Sequence, residues 1–273
     1  MPVVKYVPDS RVKPESAYLR EFARNVTSQL GEDGIIEKIF AIIGPANRCC
    51  CEFGAWDGIH FSNTWNLIAR QRWRGLLIEA DRDRFRELQG NYAGRDDVRL
   101  VQAMVEVDGE RSLDAILAAA KLPIDFDLLS IDVDGMDWHI WNTLLGHRPR
   151  VVVIEFNQSV PNDVIFIQDP DPAVNQGASL LAMIDLAKAK SYELVATTTC
   201  NAFFVDRELF PQFKISDNSI DAMHDLRGSE TKIFQLYDGT LMLAGHQQLI
   251  WHGIPIDSEK IQILPKEARV FRK

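Results

Sequence analysis

Between residues 48 and 206 the chain alternates short, continuous apolar runs with longer stretches whose apolar residues recur every three or four positions. Runs of four to eight apolar residues suit strands buried on both faces, and a 3.6-residue recurrence suits helices with one packed face. The pattern predicts strands over 48–54, 74–80, 98–105, 126–132 and 150–157, with helices over 60–71, 81–92, 110–121 and 136–146 between them. Asp81 is placed to cap the second of these helices. A helix over 178–190 and strands over 192–199 and 201–206 follow, the last two joined too briefly for a crossover and therefore antiparallel. Right-handed crossovers fold such a chain into an α/β protein with a doubly wound, mostly parallel sheet of seven strands and helices on both faces. Ligands then belong at the carboxyl ends of the strands.

The flanks read differently. Residues 1–15 are an extended lead-in, 16–25 have helical spacing, and the polar turn in SQLGEDG (28–34) opens a helix that ends at Gly44-Pro45. Near the other end, 230–245 reads as a hairpin about Asp238-Gly239, a dipeptide suited to a type I′ turn, and 247–256 as a further strand. The expected division is an N-terminal helical segment (1–47), a catalytic sheet domain (48–206) and a small C-terminal β-hairpin extension (207–273). That extension is too small for a core of its own, so it packs on the main sheet or joins two subunits as a homodimer.

Composition narrows the partners. The 273 residues are 46% hydrophobic and 25% charged, with a net charge of −9. That balance argues against nucleic acid and anionic membrane, both of which need basic patches. The first residues lack the apolar core of a signal peptide, and no apolar run approaches the ~18 residues of a membrane span. A cytoplasmic protein acting on a small molecule is the expectation. Cys49, Cys50 and Cys51 are consecutive on a strand, so their thiols alternate between faces and read as buried residues, not metal ligands.

The chemistry concentrates at the first turn, CCCEFGAWDGIHFSNT (49–64). Glycine lacks Cβ and tolerates positive φ, so Gly54 and Gly58 let backbone approach a ligand closely. A dinucleotide site needs G-x-G-x-x-G, which seats a pyrophosphate on backbone N–H groups at a helix start. Here Trp56 stands in the middle glycine's place, and Glu52 and Asp57 would repel a pyrophosphate. The same carboxylates suit the ammonium and sulfonium charges of S-adenosylmethionine, which carries no phosphate. The structural alternative makes Asp57 a turn former and leaves Glu52 satisfied by backbone. Glu79 ends the second strand, where an acid accepts both ribose hydroxyls in either nucleotide class.

With EFGAWDG, LLIEAD, LLSIDVDGMDWHIW and VVVIEFN in this order, residues 28–206 resemble the class I S-adenosylmethionine-dependent methyltransferases of the FkbM-like type. The resemblance implies a Rossmann-like sheet, with Glu52, Gly54, Ala55, Asp57 and Gly58 shaping the methionine pocket and Glu79 with Ala80 holding the ribose. It places Ala103 and Met104 beside adenine, although the acid that usually meets the adenine amine is absent there. It sets Asp132 near the methionine amine or the acceptor, and has Gln29 and Glu32 help close the pocket.

The strand ends also carry an acidic group: Asp132, Asp134 and Asp137, then His139, with Glu155 and Asn157 one strand over. Three uses compete. Asp132, Asp134 and Glu155 could ligate Mg²⁺, which polarises an acceptor hydroxyl. They could clamp a cationic acceptor, with His139 or an acid as base. Or Asp134-Gly135 forms a turn, Asp137 caps a helix and Glu155 is paired. The candidate catalytic residues are therefore Asp132, Asp134, His139, Glu155 and Asn157, and the loop 158–176 is a candidate acceptor lid. The expected reaction is methyl transfer to a small-molecule hydroxyl. N-methylation of an amino or guanidino compound, an NAD(P)-dependent oxidoreductase and a non-catalytic scaffold are the rivals.

Overall fold

The apolar runs become strands because each finds cover on both faces. In the computed structural model, which describes residues 3–7, 11–226 and 229–271, seven strands form one sheet. They are Cys49–Phe53 (β1), Arg74–Glu79 (β2), Val98–Gln102 (β3), Leu128–Ile131 (β4), Val151–Glu155 (β5), Tyr192–Thr197 (β6) and Asn201–Asp206 (β7). Their spatial order is β3-β2-β1-β4-β5-β7-β6. β1 to β5 are parallel, and β7 runs antiparallel to both β5 and β6. The chain crosses from β5 to β6, leaves a gap one strand wide, and returns through a tight turn to fill it with β7. β1 and β4, at the centre, are buried along their whole length, Cys49, Cys50 and Cys51 included. The result is the Rossmann-like sheet expected.

The helices are Glu32–Ile43 (α1), Trp65–Gln71 (α2), Arg82–Asn91 (α3), Leu113–Ala119 (α4), Asp137–Thr143 (α5), Leu180–Ala189 (α6) and Ile220–Met223 (α7). Asp81 caps α3 as expected, its Oδ1 accepting from the N–H groups of Asp83 and Arg84 at 2.9 Å each. Four helices are clearly shorter than their periodicity, α4 and α5 by trimming at both ends. Residues 16–25 make only the 3₁₀ turn Tyr18–Phe22, and α2 begins at Trp65, not at residue 60. The late start of α2 has a cause at the site, described below.

The C-terminal hairpin is present, Thr231–Gln235 (β8) pairing with Leu241–Gly245 (β9), but it forms its own two-stranded sheet and does not extend the main one. Its turn is not type I′. Gly239 N–H donates to the Leu236 carbonyl at 3.0 Å, and of residues 236–240 only Gly239 has positive φ (87°), which describes a type I turn followed by a left-handed glycine. In the segment 247–256, Gln248–Leu249 (β10) pairs with Ile254–Pro255 (β11). The lead-in is strapped along the C-terminal extension by Lys13–Asp217 at 2.7 Å, Arg11–Asp221 at 3.0 Å, and the Tyr6 hydroxyl on Glu230 at 2.6 Å. Residues 1, 2 and 8–10 of that lead-in lie outside the described residues. None of the described helices is long and apolar enough to cross a membrane.

Candidate active site

Glu52, the last acid before the first turn, is 4% exposed and fully engaged. Ser62 Oγ and Thr64 Oγ1 donate to its Oε2 at 2.6 and 2.7 Å, and the Asn63 N–H donates to Oε1 at 2.7 Å. Ser62 Oγ in turn accepts from the N–H of Trp65, the first residue of α2. A buried carboxylate thus sits where the start of this helix would otherwise offer its N–H groups to an anion. Burial pushes the Glu52 carboxyl up from its ordinary range, while these donors pull the other way. Glu52 therefore holds the 62–64 turn, and the structure gives no support to its expected direct contact with a ligand. Ser62-Asn63-Thr64 was the overlooked signal, a run of helix-capping residues ahead of α2.

The rest of the loop is equally self-contained. Ala55 N–H donates to Ile78, Trp56 N–H to Glu79 Oε2 at 2.7 Å, and Gly58 N–H to Ala55; Ile59 and His60 both donate to Asp57 Oδ1. Asp57 is thus a turn former, and its captured N–H groups delay the start of α2. The two glycines serve the protein's own packing. A Cβ on Gly54 would lie 1.6 Å from the Asp132 carbonyl oxygen, and one on Gly58 would lie 2.5 Å from both Leu88 and Tyr92. Trp56 takes a left-handed backbone (φ 50°), and its ring stacks 4.4 Å from the Arg84 guanidinium on α3.

Glu79 closes β2 beside this loop. Its two oxygens accept from Trp56 N–H and from Asp81 N–H, each at 2.7 Å. Both bonds are to backbone, so the carboxylate is fixed in place and each oxygen keeps a lone pair for a ligand hydroxyl. Across β3, Ala103 N–H donates to the Glu79 carbonyl at 3.1 Å, which sets Ala103 and the 54%-exposed Met104 next to it. Glu79, Ala80, Ala103 and Met104 therefore lie close together at the ends of β2 and β3.

At the ends of β4 and β5, the carboxylates of Asp132, Asp134 and Glu155 bring one oxygen each to within 4.8 Å of one another. None of the three makes a side-chain hydrogen bond among the described residues. Burial, then the charges of Asp137, Asp134, Glu52 and Glu32, lift the Asp132 carboxyl to about 8. Burial, then Asp132, Asp137 and Asp134, lift Glu155 to about 9. The charges that act most on the pair are all carboxylates, and with burial they keep both carboxyls protonated above the ordinary range. Three oxygen donors from two strand ends also make a donor set that a hard divalent cation fits.

Asp137 belongs to the frame. At 2% exposure it accepts from Val133 N–H at 3.0 Å and Gly135 N–H at 2.9 Å, which clamps the left-handed Asp134-Gly135 turn. His139 and Asn157 are both tied to the loop after β5. His139 Nε2 donates to the Gln168 carbonyl at 2.8 Å, which fixes the ring and leaves the lone pair on Nδ1. Asn157 donates to the Gln176 carbonyl at 2.8 Å and accepts from Ser159 N–H at 2.9 Å. Together these pin the loop 158–176, whose 3%-exposed Gln168 accepts from Gln176 and Gly177 N–H through Oε1. The expected lid is a tied loop. Glu32 is fully buried, accepting from Thr198 Oγ1 at 2.8 Å and Leu30 N–H at 2.6 Å, whereas Gln29 is exposed.

The raised carboxyls make a stability prediction. In the folded chain Asp132 and Glu155 keep their protons to about pH 8 and 9, whereas unfolded they lose them near ~4. The native state thus binds more protons between those limits, and their contribution to stability falls as pH rises through that window. His224, lowered to about 4 by burial and by Arg20, acts in the opposite sense only below ~6.5. The melting temperature is therefore expected to fall from pH 6.5 to 8.5, and the Asp132→Asn, Glu155→Gln double variant to fall less steeply. Equal slopes would count against the cluster.

No family model and no curated protein matches this sequence. Solved structures similar to it include the N-terminal domain of EvdMO1 with SAH bound, 14% identical over 64% of this chain and 80% of that one, with a TM-score of 0.41. The glycopeptide N-methyltransferase MtfA complexed with (S)-adenosyl-L-methionine is 9% identical, over 62% of this chain and 85% of that one, with a TM-score of 0.38. A SAM-dependent methyltransferase from Aquifex aeolicus is 10% identical over 68% of this chain and 95% of that one, with a TM-score of 0.38.

Proposed function

We propose that the chain is a methyltransferase of the FkbM-like type that uses S-adenosylmethionine to methylate a hydroxyl of a small molecule. The observation that carries this reading is the loop after β1. The N–H groups of residues 55, 56, 58, 59, 60, 63 and 65 are all taken within the chain, most of them by its own carboxylates and side chains. A pyrophosphate finds no cradle there, while the unpaired acids of β4 and β5 call for positive charge. A nucleoside carrying ammonium and sulfonium groups meets both conditions.

Bound S-adenosylmethionine would supply a methyl group activated by a sulfonium. Glu79 would accept the ribose hydroxyls, and Asp132 would meet the ammonium. The chain would hold the acceptor hydroxyl in line with that methyl group, and Glu155, ionised once the cofactor's positive charge lowers its raised pKa, would take up the hydroxyl proton. The protein aligns the partners and takes up the proton; no covalent intermediate on the chain is needed. A divalent cation, if used, would be held by Asp132, Asp134 and Glu155 and would polarise the hydroxyl, so loss of turnover in EDTA with rescue by Mg²⁺ favours that route. The same free acids also suit an amine acceptor.

Calorimetry with S-adenosylmethionine, S-adenosylhomocysteine and NAD tests the reading. Binding of both adenosyl compounds and not of NAD is expected; saturable NAD binding with no heat from the adenosyl compounds would replace it with the oxidoreductase.

A further inference from the structure

A cavity of about 910 Å³ opens at the same edge of the sheet, beyond the carboxylate cluster. Four parts of the chain enclose it: the N-terminal segment at Arg20, Ala23, Leu30 and Ile35; Gln158 after β5; the β6–β7 turn; and the C-terminal extension at residues such as His224, His246 and Ile250. Its link to the cluster is short. Thr198 in its wall donates to Glu32, whose charge acts on Asp132, and β7 begins with Asn201 in register with Glu155.

The polar groups of this wall divide by what they already hold. The Arg20 guanidinium donates to the carbonyls of Thr197 and Met223, at 3.1 and 2.6 Å, and to the Thr197 hydroxyl. Asp225 also has a partner. The charged side chains of the wall are therefore engaged. Among the neutral ones Thr197, Thr198 and Ser229 are engaged too, whereas the amides of Gln158 and Gln248 and the Thr199 hydroxyl make no hydrogen bond among the described residues. His224 is 6% exposed, and its Nδ1 meets Asn162 Oδ1 at 2.9 Å; since the Asn162 amide nitrogen donates elsewhere, Nδ1 carries the proton and Nε2 keeps its lone pair. His246 Nε2 is buried with no partner among the described residues. A buried polar atom left unpaired costs about 1–3 kcal/mol, so such a group asks for a ligand.

We infer that this cavity receives a neutral, polyhydroxylated ring of the glycoside or cyclitol class, bound through Gln158, Thr199, His224, His246 and Gln248. A hydroxyl both donates and accepts, which matches two amides, a hydroxyl and two imidazole nitrogens. Leu30, Ile35 and Ile250 supply apolar cover for a ring's C–H face. An anionic ligand would need a cation, and a polyamine an acid, that is not already engaged. As the acceptor site, this inference rests on the methyltransferase reading; as a binding site it stands alone.

Saturation-transfer NMR on the full chain, with and without S-adenosylhomocysteine, tests it. The probes are methyl β-D-glucopyranoside, methyl α-L-rhamnopyranoside and myo-inositol, set against spermidine and 4-hydroxybenzoate. Signal from at least one polyol is expected, lost in Thr199→Trp, which fills the cavity from an exposed position. His246→Phe, lacking one ordinary hydrogen bond, is expected to weaken binding about fivefold. No signal from any polyol, signal unaffected by both variants, or signal from spermidine or 4-hydroxybenzoate alone overturns the inference. If the polyol binds and S-adenosylhomocysteine does not, the methyltransferase reading fails and the cavity assignment survives; the converse result fails the cavity alone.

Discussion

Gly54→Ala is expected to leave little folded protein. The added Cβ would meet the Asp132 carbonyl oxygen at 1.6 Å and its carbon at 2.8 Å, at a backbone φ of +75° that alanine resists. Neither neighbour has room to yield, because β1 and β4 are hydrogen-bonded side by side in the middle of the sheet. A clash of backbone on backbone belongs to the rare class of substitutions costing more than about 4 kcal/mol. Gly90→Ala is the control. That glycine lies in α3 at ordinary helical φ with no atom within 4 Å of a new Cβ, so alanine there is expected to stabilise by up to ~1 kcal/mol. Urea midpoints of the two variants, read against the parent chain, compare them directly. A Gly54→Ala protein within ~1 kcal/mol of the parent would show that the two strand ends do not approach as described.

Glu155→Gln is expected to lower the rate of methyl transfer by on the order of 10²–10⁴-fold, the usual worth of a positioned acid–base group. The change keeps shape and, above about pH 9 where Glu155 is ionised, removes one negative charge from a cluster whose members repel, so the variant should fold at least as well as the parent there. Asp132→Asn should differ, weakening S-adenosylmethionine binding as well as the rate, because Asp132 is assigned to the cofactor's ammonium. Single-turnover kinetics with calorimetry separate the two. Equal loss of binding in both variants would erase the distinction between their roles.

Much of this was legible in the chain. Continuous apolar runs fixed seven strands to within a few residues, and Asp81 marked the start of α3 as a cap should. The convergence of Asp132, Asp134 and Glu155 followed from strand ends that share one edge of a parallel sheet. What spacing does not report is where a side chain points. Glu52 stands where an acid can face either a ligand or a helix start, and only the hydroxyls of Ser62 and Thr64 decide for the second. Gly54 and Gly58 mark close approaches, but the approaching groups are Asp132 and Tyr92. His139 and Asn157 are tied to the loop 158–176, which their spacing does not show. The cavity was the least legible feature, since contacts such as Arg20 with Thr197 and Thr198 with Glu32 join residues 177 and 166 positions apart.

The proposed function centres on the carboxyl cluster at the ends of β4 and β5, where a cationic, phosphate-free nucleoside would bind. The direct measurement is the heat of S-adenosylmethionine binding at pH 7.5 in buffers of differing ionisation enthalpy, which counts protons exchanged. Release of protons is predicted, because a cation lowers the pKa of Asp132 and Glu155 from about 8 and 9, with affinity rising toward those values. Binding with no release, or with protons taken up, would contradict it.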